Sequence, residues 1–310
     1  PGVGVDVTRE AVGVVGMITP WNFPIAIPAW KIAPALTHGN TIVFKPADLV
    51  PGSAWALVDI LHRAGLPKGV LNLVMGRGSE VGQIILDHKD VNAITFTGSV
   101  NTGRKVAAAA IASTPMKKVQ LEMGGKNPLV VLDDADIDSA VAGAMLAKMR
   151  NGGAACTAAN RFFVARSVAD EFTTKFAAAM AGLKVAPGLE EGAQLGASVS
   201  MKERNKIAEL VDAAVATGGK IVTGGKTPTG EGAFYPATVL HVDKTNEILR
   251  NEVFGPVAPI VLFDTDEEAI ALANDTEFGL ISYVYTEDLK RGIRTAEALE
   301  AGMVAINKGV

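Results

Sequence analysis

Short β-branched apolar runs alternate with longer amphipathic ones along most of this 310-residue chain. Residues 11–18, Ala-Val-Gly-Val-Val-Gly-Met-Ile, predict a strand. A helix over 25–36, entered through Pro24, leads to a second strand over 41–45. Residues 53–64 predict a helix that Gly65-Leu66-Pro67 stops. A strand over 70–74, a helix over 79–87, a strand over 93–97, a helix over 102–112 and a strand over 118–122 follow. Five strands linked by helices predict a parallel, doubly wound α/β sheet.

A second α/β series begins near Met123, so two domains are expected, 1–122 and 123–310. Its predicted strands cover 128–132, 161–165, 260–263, 281–285 and 303–306. Its predicted helices cover 137–148, capped by Asp136, then 169–183, 202–217, 266–274 and 288–299. Residues 187–200 read as a loop.

Composition narrows the function classes. Hydrophobic residues make up 48% and charged residues 20%, with a net charge of −4, which describes a folded chain without a basic surface for nucleic acid. No apolar run approaches the about 20 residues that a membrane helix needs. His38, His62, His88 and His241 are scattered, so no metal site is expected. One cysteine allows no internal disulfide and points to a reducing, cytoplasmic location. The chain begins with Pro1 and stops just past a strand-like run, so it is expected to be a piece of a longer protein.

That single cysteine, Cys156, lies among Gly, Ala and Asn rather than in an apolar periodic run. Glu122, 34 positions earlier, lies in another Gly-flanked segment, Leu121-Glu122-Met123-Gly124-Gly125-Lys126-Asn127-Pro128. A thiol with a carboxylate base is part of a covalent catalytic apparatus; the plainer reading is a small buried hydrophobe. Phe96-Thr97-Gly98-Ser99-Val100-Asn101-Thr102-Gly103 follows a predicted strand and opens a predicted helix, where a phosphate is favoured. An ordinary capped βα turn has the same look. Lys45 and Asp48 end the second strand, where such sheets bind ligands; a solvated Lys and a capping Asp are the alternative. Asn22, between two prolines and two aromatics in 19–24, is a rigid amide suited to an oxyanion, or an Asx turn. Glu252 and Phe254 precede Gly255-Pro256, which by default is a surface loop.

Taken together and in this order, these segments resemble the aldehyde dehydrogenase superfamily over nearly the whole chain. The resemblance implies a partial NAD-binding domain over 1–122 and a partial catalytic domain over 123–310. It implies that Cys156 attacks the aldehyde to form a thiohemiacetal, and that the Asn22 amide and the Cys156 backbone N–H hold the oxyanion. Oxidation to a thioester follows, and Glu122 activates the hydrolytic water. Cofactor contacts are implied for Thr19, Trp21, Lys45, Asp48, Gly78, Thr97, Gly98, Ser99, Gly103, Met123, Gly124, Glu252 and Phe254. Ser99 and its loop would take the pyrophosphate, Lys45 and Asp48 the adenosine ribose, and Glu252 the nicotinamide ribose. Asp48 would repel a 2′-phosphate, which favours NAD, with NADP the alternative.

Two subfamilies share the likeness. The part up to about residue 134 is similar to 2-oxoglutarate-semialdehyde (2,5-dioxopentanoate) dehydrogenases, and the part from about 145 onward to succinate-semialdehyde dehydrogenases. The implied substrate is a short semialdehyde whose distal carboxylate Arg150 would bind. Trp30 stands where the succinate-semialdehyde enzymes carry a second Arg, and Gly153-Ala154-Ala155 replaces a Gly-Gln pair. A broad-specificity aldehyde dehydrogenase and a truncated, inactive cofactor-binding fragment are the other readings. The resemblance further implies segments missing at both ends and a homodimer or homotetramer in the full-length protein.

Overall fold

The computed structural model describes residues 2–310. Its contacts divide the chain into two compact units, one ending at Met123 and one spanning Gly124–Val310.

The first unit is a five-stranded sheet formed by β1 (Val14–Ile18), β2 (Thr41–Lys45), β3 (Leu71–Leu73), β4 (Ala93–Gly98) and β5 (Lys118–Met123). The spatial order is β3-β2-β1-β4-β5 and every pairing is parallel. Helices α1 (Ala26–Thr37), α2 (Pro51–Arg63), α3 (Gln83–Asp87) and α4 (Val100–Ala112) link the strands. Side-chain alternation splits the core between two faces. Met17, Ile42 and Phe44 pack with Ile32 and Ala54, from α1 and α2. Ile94 and Phe96 pack with Ile85, Leu86 and Val106, from α3 and α4. Helices therefore cover both faces, as the doubly wound reading requires.

Two helices start earlier than the apolar pattern predicts. Pro51 occupies the first turn of α2, where its missing N–H is no loss. Ser99 is the N-cap of α4, so that helix opens directly behind the strand.

The second unit holds β6 (Asn127–Val131), β7 (Ala159–Ala165), β8 (Lys220–Thr223), β9 (Thr238–His241), β10 (Val257–Phe263), β11 (Ile281–Tyr285) and β12 (Met303–Ile306), ordered β12-β11-β6-β7-β10-β9-β8. Strands β6, β7 and β11 are buried along their whole length, as a sheet covered on both sides demands. One face packs on α5 (Ile137–Met149) and α6 (Ala169–Ala181), the other on α7 (Met201–Ala216) and α8 (Asp266–Asn274). Helix α9 (Leu289–Ala298) precedes β12. Asp136 caps α5 by accepting from the Ser139 N–H, as its position predicts.

The apolar pattern does not reveal β8 and β9. Each has four residues, and β8 is a largely exposed edge strand that runs antiparallel to β9. It makes the second sheet mixed.

Candidate active site

In the first unit the candidate residues follow the carboxyl ends of the parallel strands. Thr19, Trp21 and Asn22 follow β1; Lys45 ends β2, with Asp48 just beyond; Gly78 comes after β3. Thr97 and Gly98 end β4, and Ser99 caps α4. The chain builds outward from β1 through β2 to β3, then resumes on the other side with β4 and β5. This reversal beside β1 is where open α/β sheets bind ligands.

Local chemistry at the reversal suits an anionic, hydroxyl-bearing ligand. The hydroxyls of Thr19 and Thr97 are buried without a hydrogen-bond partner in the protein, which calls for an explanation. No side chain caps α4: the Ser99 hydroxyl donates to the Thr102 hydroxyl at 3.0 Å instead. The first N–H groups of that helix are thus left for another acceptor. Lys45 is buried and its ammonium donates to the Pro46 carbonyl at 2.7 Å. Burial lowers its pKa, and Asp48 opposes that shift. A Cβ on Gly78 would stand 4.0 Å from that ammonium. Gly103 has no room for a side chain, since a Cβ would meet the Met123 sulfur at 2.1 Å.

Glu122 ends β5 on an exposed stretch and accepts from the Gln120 amide at 3.2 Å. Lys31 donates to the Thr95 hydroxyl at 2.7 Å and to the Gln120 carbonyl at 2.9 Å. Register explains the cluster, for Thr95 lies opposite Gln120 and Thr97 opposite Glu122. Burial pushes Lys31 down to about 8, and the Glu122 charge acts in the other direction. Lys31 and Gln120 belong to this polar chain, although nothing in their local sequence singles them out. Trp30, their neighbour on α1, is 65% exposed.

In the second unit the candidates lie at the amino ends of the strands. The segment between α5 and β7 carries Arg150 and Cys156. It turns through left-handed conformations at Asn151, φ 52°, and Gly152, φ 61°. Cys156 is half-buried, and Arg150 is exposed. Burial raises the pKa of the Tyr283 hydroxyl above its ordinary value; Cys156 acts in the same direction and Arg150 opposes it. Glu252 accepts from the Gly125 N–H at 2.9 Å. Burial raises the Glu252 pKa, while that N–H and the charges of Lys126 and Lys148 work against the rise. A Cβ on Gly124 would come within 2.8 Å of the Glu252 carboxylate, and Phe254 follows two residues later.

Other residues of the same motifs hold the scaffold. Arg161 is buried and donates to the carbonyls of Lys126, Leu272 and Ala273, the last two near the end of α8. Asn160 accepts from the Val253 N–H at 2.9 Å. Among the described residues no group of three or more His, Cys, Asp or Glu could hold a metal ion, and no helix is long and apolar enough to cross a membrane.

Comparison with known proteins matches the aldehyde dehydrogenase family over residues 1–310. The chain belongs to the aldehyde dehydrogenase family. Glutarate-semialdehyde dehydrogenase of Pseudomonas putida is 47% identical to it over 98% of the chain and 63% of the relative. The solved structure of succinate-semialdehyde dehydrogenase from Burkholderia pseudomallei matches with a TM-score of 0.94 and 45% identity, over 98% of this chain and 63% of that one. PnpE, solved in complex with nicotinamide adenine dinucleotide, matches with a TM-score of 0.95 and 38% identity, over 99% of this chain and 64% of that one. This aldehyde dehydrogenase chain therefore spans less than two thirds of the length of each.

Proposed function

We propose that this chain carries the machinery of an NAD(P)-dependent aldehyde dehydrogenase acting on a short semialdehyde with a distal carboxylate, such as succinate or glutarate semialdehyde. In this reading the Cys156 thiolate adds to the aldehyde carbon. The Asn22 amide and the Cys156 backbone N–H donate to the resulting oxyanion, a contribution typically worth ~10²–10³ in turnover per donor. A bound nicotinamide would supply the hydride acceptor. Glu122 removes a proton from the water that releases the acid from the thioester and returns the thiol.

Support for the cofactor comes from the two partnerless threonine hydroxyls and the uncapped helix at the strand-order reversal. In this proposal Thr19, Trp21, Thr97, Gly98, Ser99 and Gly103 serve the phosphates, with Lys45, Asp48 and Gly78 on the adenosine side. Met123, Gly124, Glu252 and Phe254 serve the nicotinamide half. Asp48 favours NAD over NADP, because a carboxylate repels a 2′-phosphate. The observation that carries the substrate class is Arg150, exposed on the same segment between α5 and β7 that carries Cys156; a guanidinium fork suits a carboxylate. The two semialdehyde dehydrogenases among the relatives support the same class. A cytoplasmic location remains part of the proposal, resting on cysteine usage.

The test is NADH formation with succinate semialdehyde, glutarate semialdehyde and propanal, using wild type, Cys156→Ala and Arg150→Met. Turnover should vanish in Cys156→Ala, a loss of at least about 10³-fold. Arg150→Met should raise KM for the carboxylated aldehydes ~10–100-fold and leave propanal unchanged. Equal turnover of propanal by wild type would point to a broad-specificity enzyme. NAD binding without turnover of any aldehyde would point to a cofactor-binding fragment.

A further inference from the structure

The three peptides that follow Cys156 lie between a left-handed turn and a strand, where no helix supplies donors. The β6–β7 ladder begins only at the end of this segment. Its register shifts between Asn127 and Pro128, so that Asn127 pairs with Ala159 and Pro128 with Arg161. Side chains reach the three carbonyls. The Asn127 amide donates to the Cys156 carbonyl at 2.6 Å and to the Ala158 carbonyl at 2.9 Å. The Tyr283 hydroxyl donates to the Thr157 carbonyl at 2.7 Å. Asn160 adds a bond to the Ala158 carbonyl at 3.2 Å. Three successive carbonyls are thus held from outside the segment's own backbone.

We propose that Asn127 and Tyr283 are positioning residues for Cys156, fixing the peptides from which its thiol projects. The proposal rests on the reading of Cys156 as the nucleophile. Anchoring the Cys156 carbonyl fixes rotation about the Cα–C bond of that residue, and anchoring the next carbonyl fixes Thr157. The direction in which Sγ leaves the backbone is then set before any substrate arrives, as a preformed attack geometry requires. The Asn127 amide is itself oriented, because its carbonyl accepts from the Ile281 N–H at 3.3 Å. Both holders are buried. Only an amide fits the Asn127 position, since a carboxylate would face two carbonyl oxygens with no proton to offer.

The single cysteine makes the test unambiguous. The rate of alkylation by iodoacetamide is measured on wild type, Asn127→Ala, Tyr283→Phe and Ile260→Val, with the melting temperature of each. Ile260 is a buried core residue of the same unit, and its substitution lowers stability without touching the held carbonyls. Asn127→Ala should slow alkylation about tenfold and Tyr283→Phe about threefold, in line with the loss of single hydrogen bonds. Ile260→Val should keep the wild-type rate despite its lower melting temperature. Rates at or above wild type in both variants overturn the proposal, as does slowing that merely tracks lost stability in all three. If Asn127→Ala does not fold, Tyr283→Phe decides alone, because the ring still fills its place. A wild-type thiol no faster than free glutathione would sink the nucleophile reading instead. The ratio of variant to wild-type rates would still decide whether the holders matter.

Discussion

The two sheets use opposite ends. In the first, the candidate residues follow the carboxyl ends of parallel strands, where helices begin and their N–H groups point outward. Little else is needed there: small residues, two threonine hydroxyls and an uncapped helix. In the second, the carboxyl ends carry ion pairs. Arg291 joins Asp133, Asp134 and Asp266, and Arg166 grips Asp264 with two bonds. The Cys156 segment lies at the amino ends, between α5 and β7, and the helix before it ends in carbonyls and the negative end of its dipole. A thiolate, as proposed for Cys156, gains nothing from that end of a helix. Side-chain donors hold the segment instead.

The contrast predicts that backbone crowding matters most in the second unit. A Cβ on Gly125 would stand 2.1 Å from the Cys156 carbonyl oxygen and within 3 Å of the Asn127 amide. Gly125→Ala should cost about 3 kcal/mol, the upper end for overpacking, and slow Cys156 alkylation as well. Urea denaturation and the alkylation rate check both. A variant with wild-type values would mean that the Cys156 segment yields easily.

A smaller effect concerns the buried cations. Lys148 is fully buried, its ammonium has no hydrogen-bond partner, and burial pushes its pKa down to about 7 from 10.5. Between those values the unfolded chain holds a proton that the folded chain has released, so stability rises with pH across that window. The cost of burying Lys148 is present in full below about 7 and fades as pH approaches 10.5. Lys148→Met should stabilise the protein by about 1–3 kcal/mol at or below neutral pH, with the advantage shrinking above it. A melting-temperature difference that stays constant with pH would contradict this. Because the Lys148 charge also favours ionised Glu252, the same variant should weaken any role of that carboxylate.

The smallest effect belongs to the first unit. Thr97→Val replaces a partnerless hydroxyl with a methyl group, so stability should stay level or rise by about 1 kcal/mol. NAD affinity should fall severalfold, as read by fluorescence titration. Unchanged affinity would remove Thr97 from the cofactor site and weaken the contrast between the two units.

Much of this was legible in the residues. Apolar alternation located all five strands of the first sheet to within a few residues, because each is bounded by Gly, Pro or a polar helix start. It missed β8 and β9, which flank the turn-rich Gly, Thr and Pro stretch 224–237. Glycine-rich segments marked the strand ends and the Cys156 segment. Lys31, Asn127 and Tyr283 gave no comparable signal. Asn127 reaches across 29 positions to Cys156, and Tyr283 across 126 to Thr157. An Asn before a Pro reads as a turn, and a Tyr in an apolar run reads as core.

What the sequence determined by itself is local: where strands and helices form, where chain direction changes, and which reactive side chains sit in tight, small-residue segments. These follow from periodicity and backbone sterics within a few residues. Only the tertiary structure decided the order of the strands in each sheet, that β8 runs antiparallel, and which carbonyls receive a side-chain donor. The register shift before Pro128 is the clearest instance. Ladder hydrogen bonds are set by the alignment of residues far apart in the chain, and no local pattern encodes where that alignment slips.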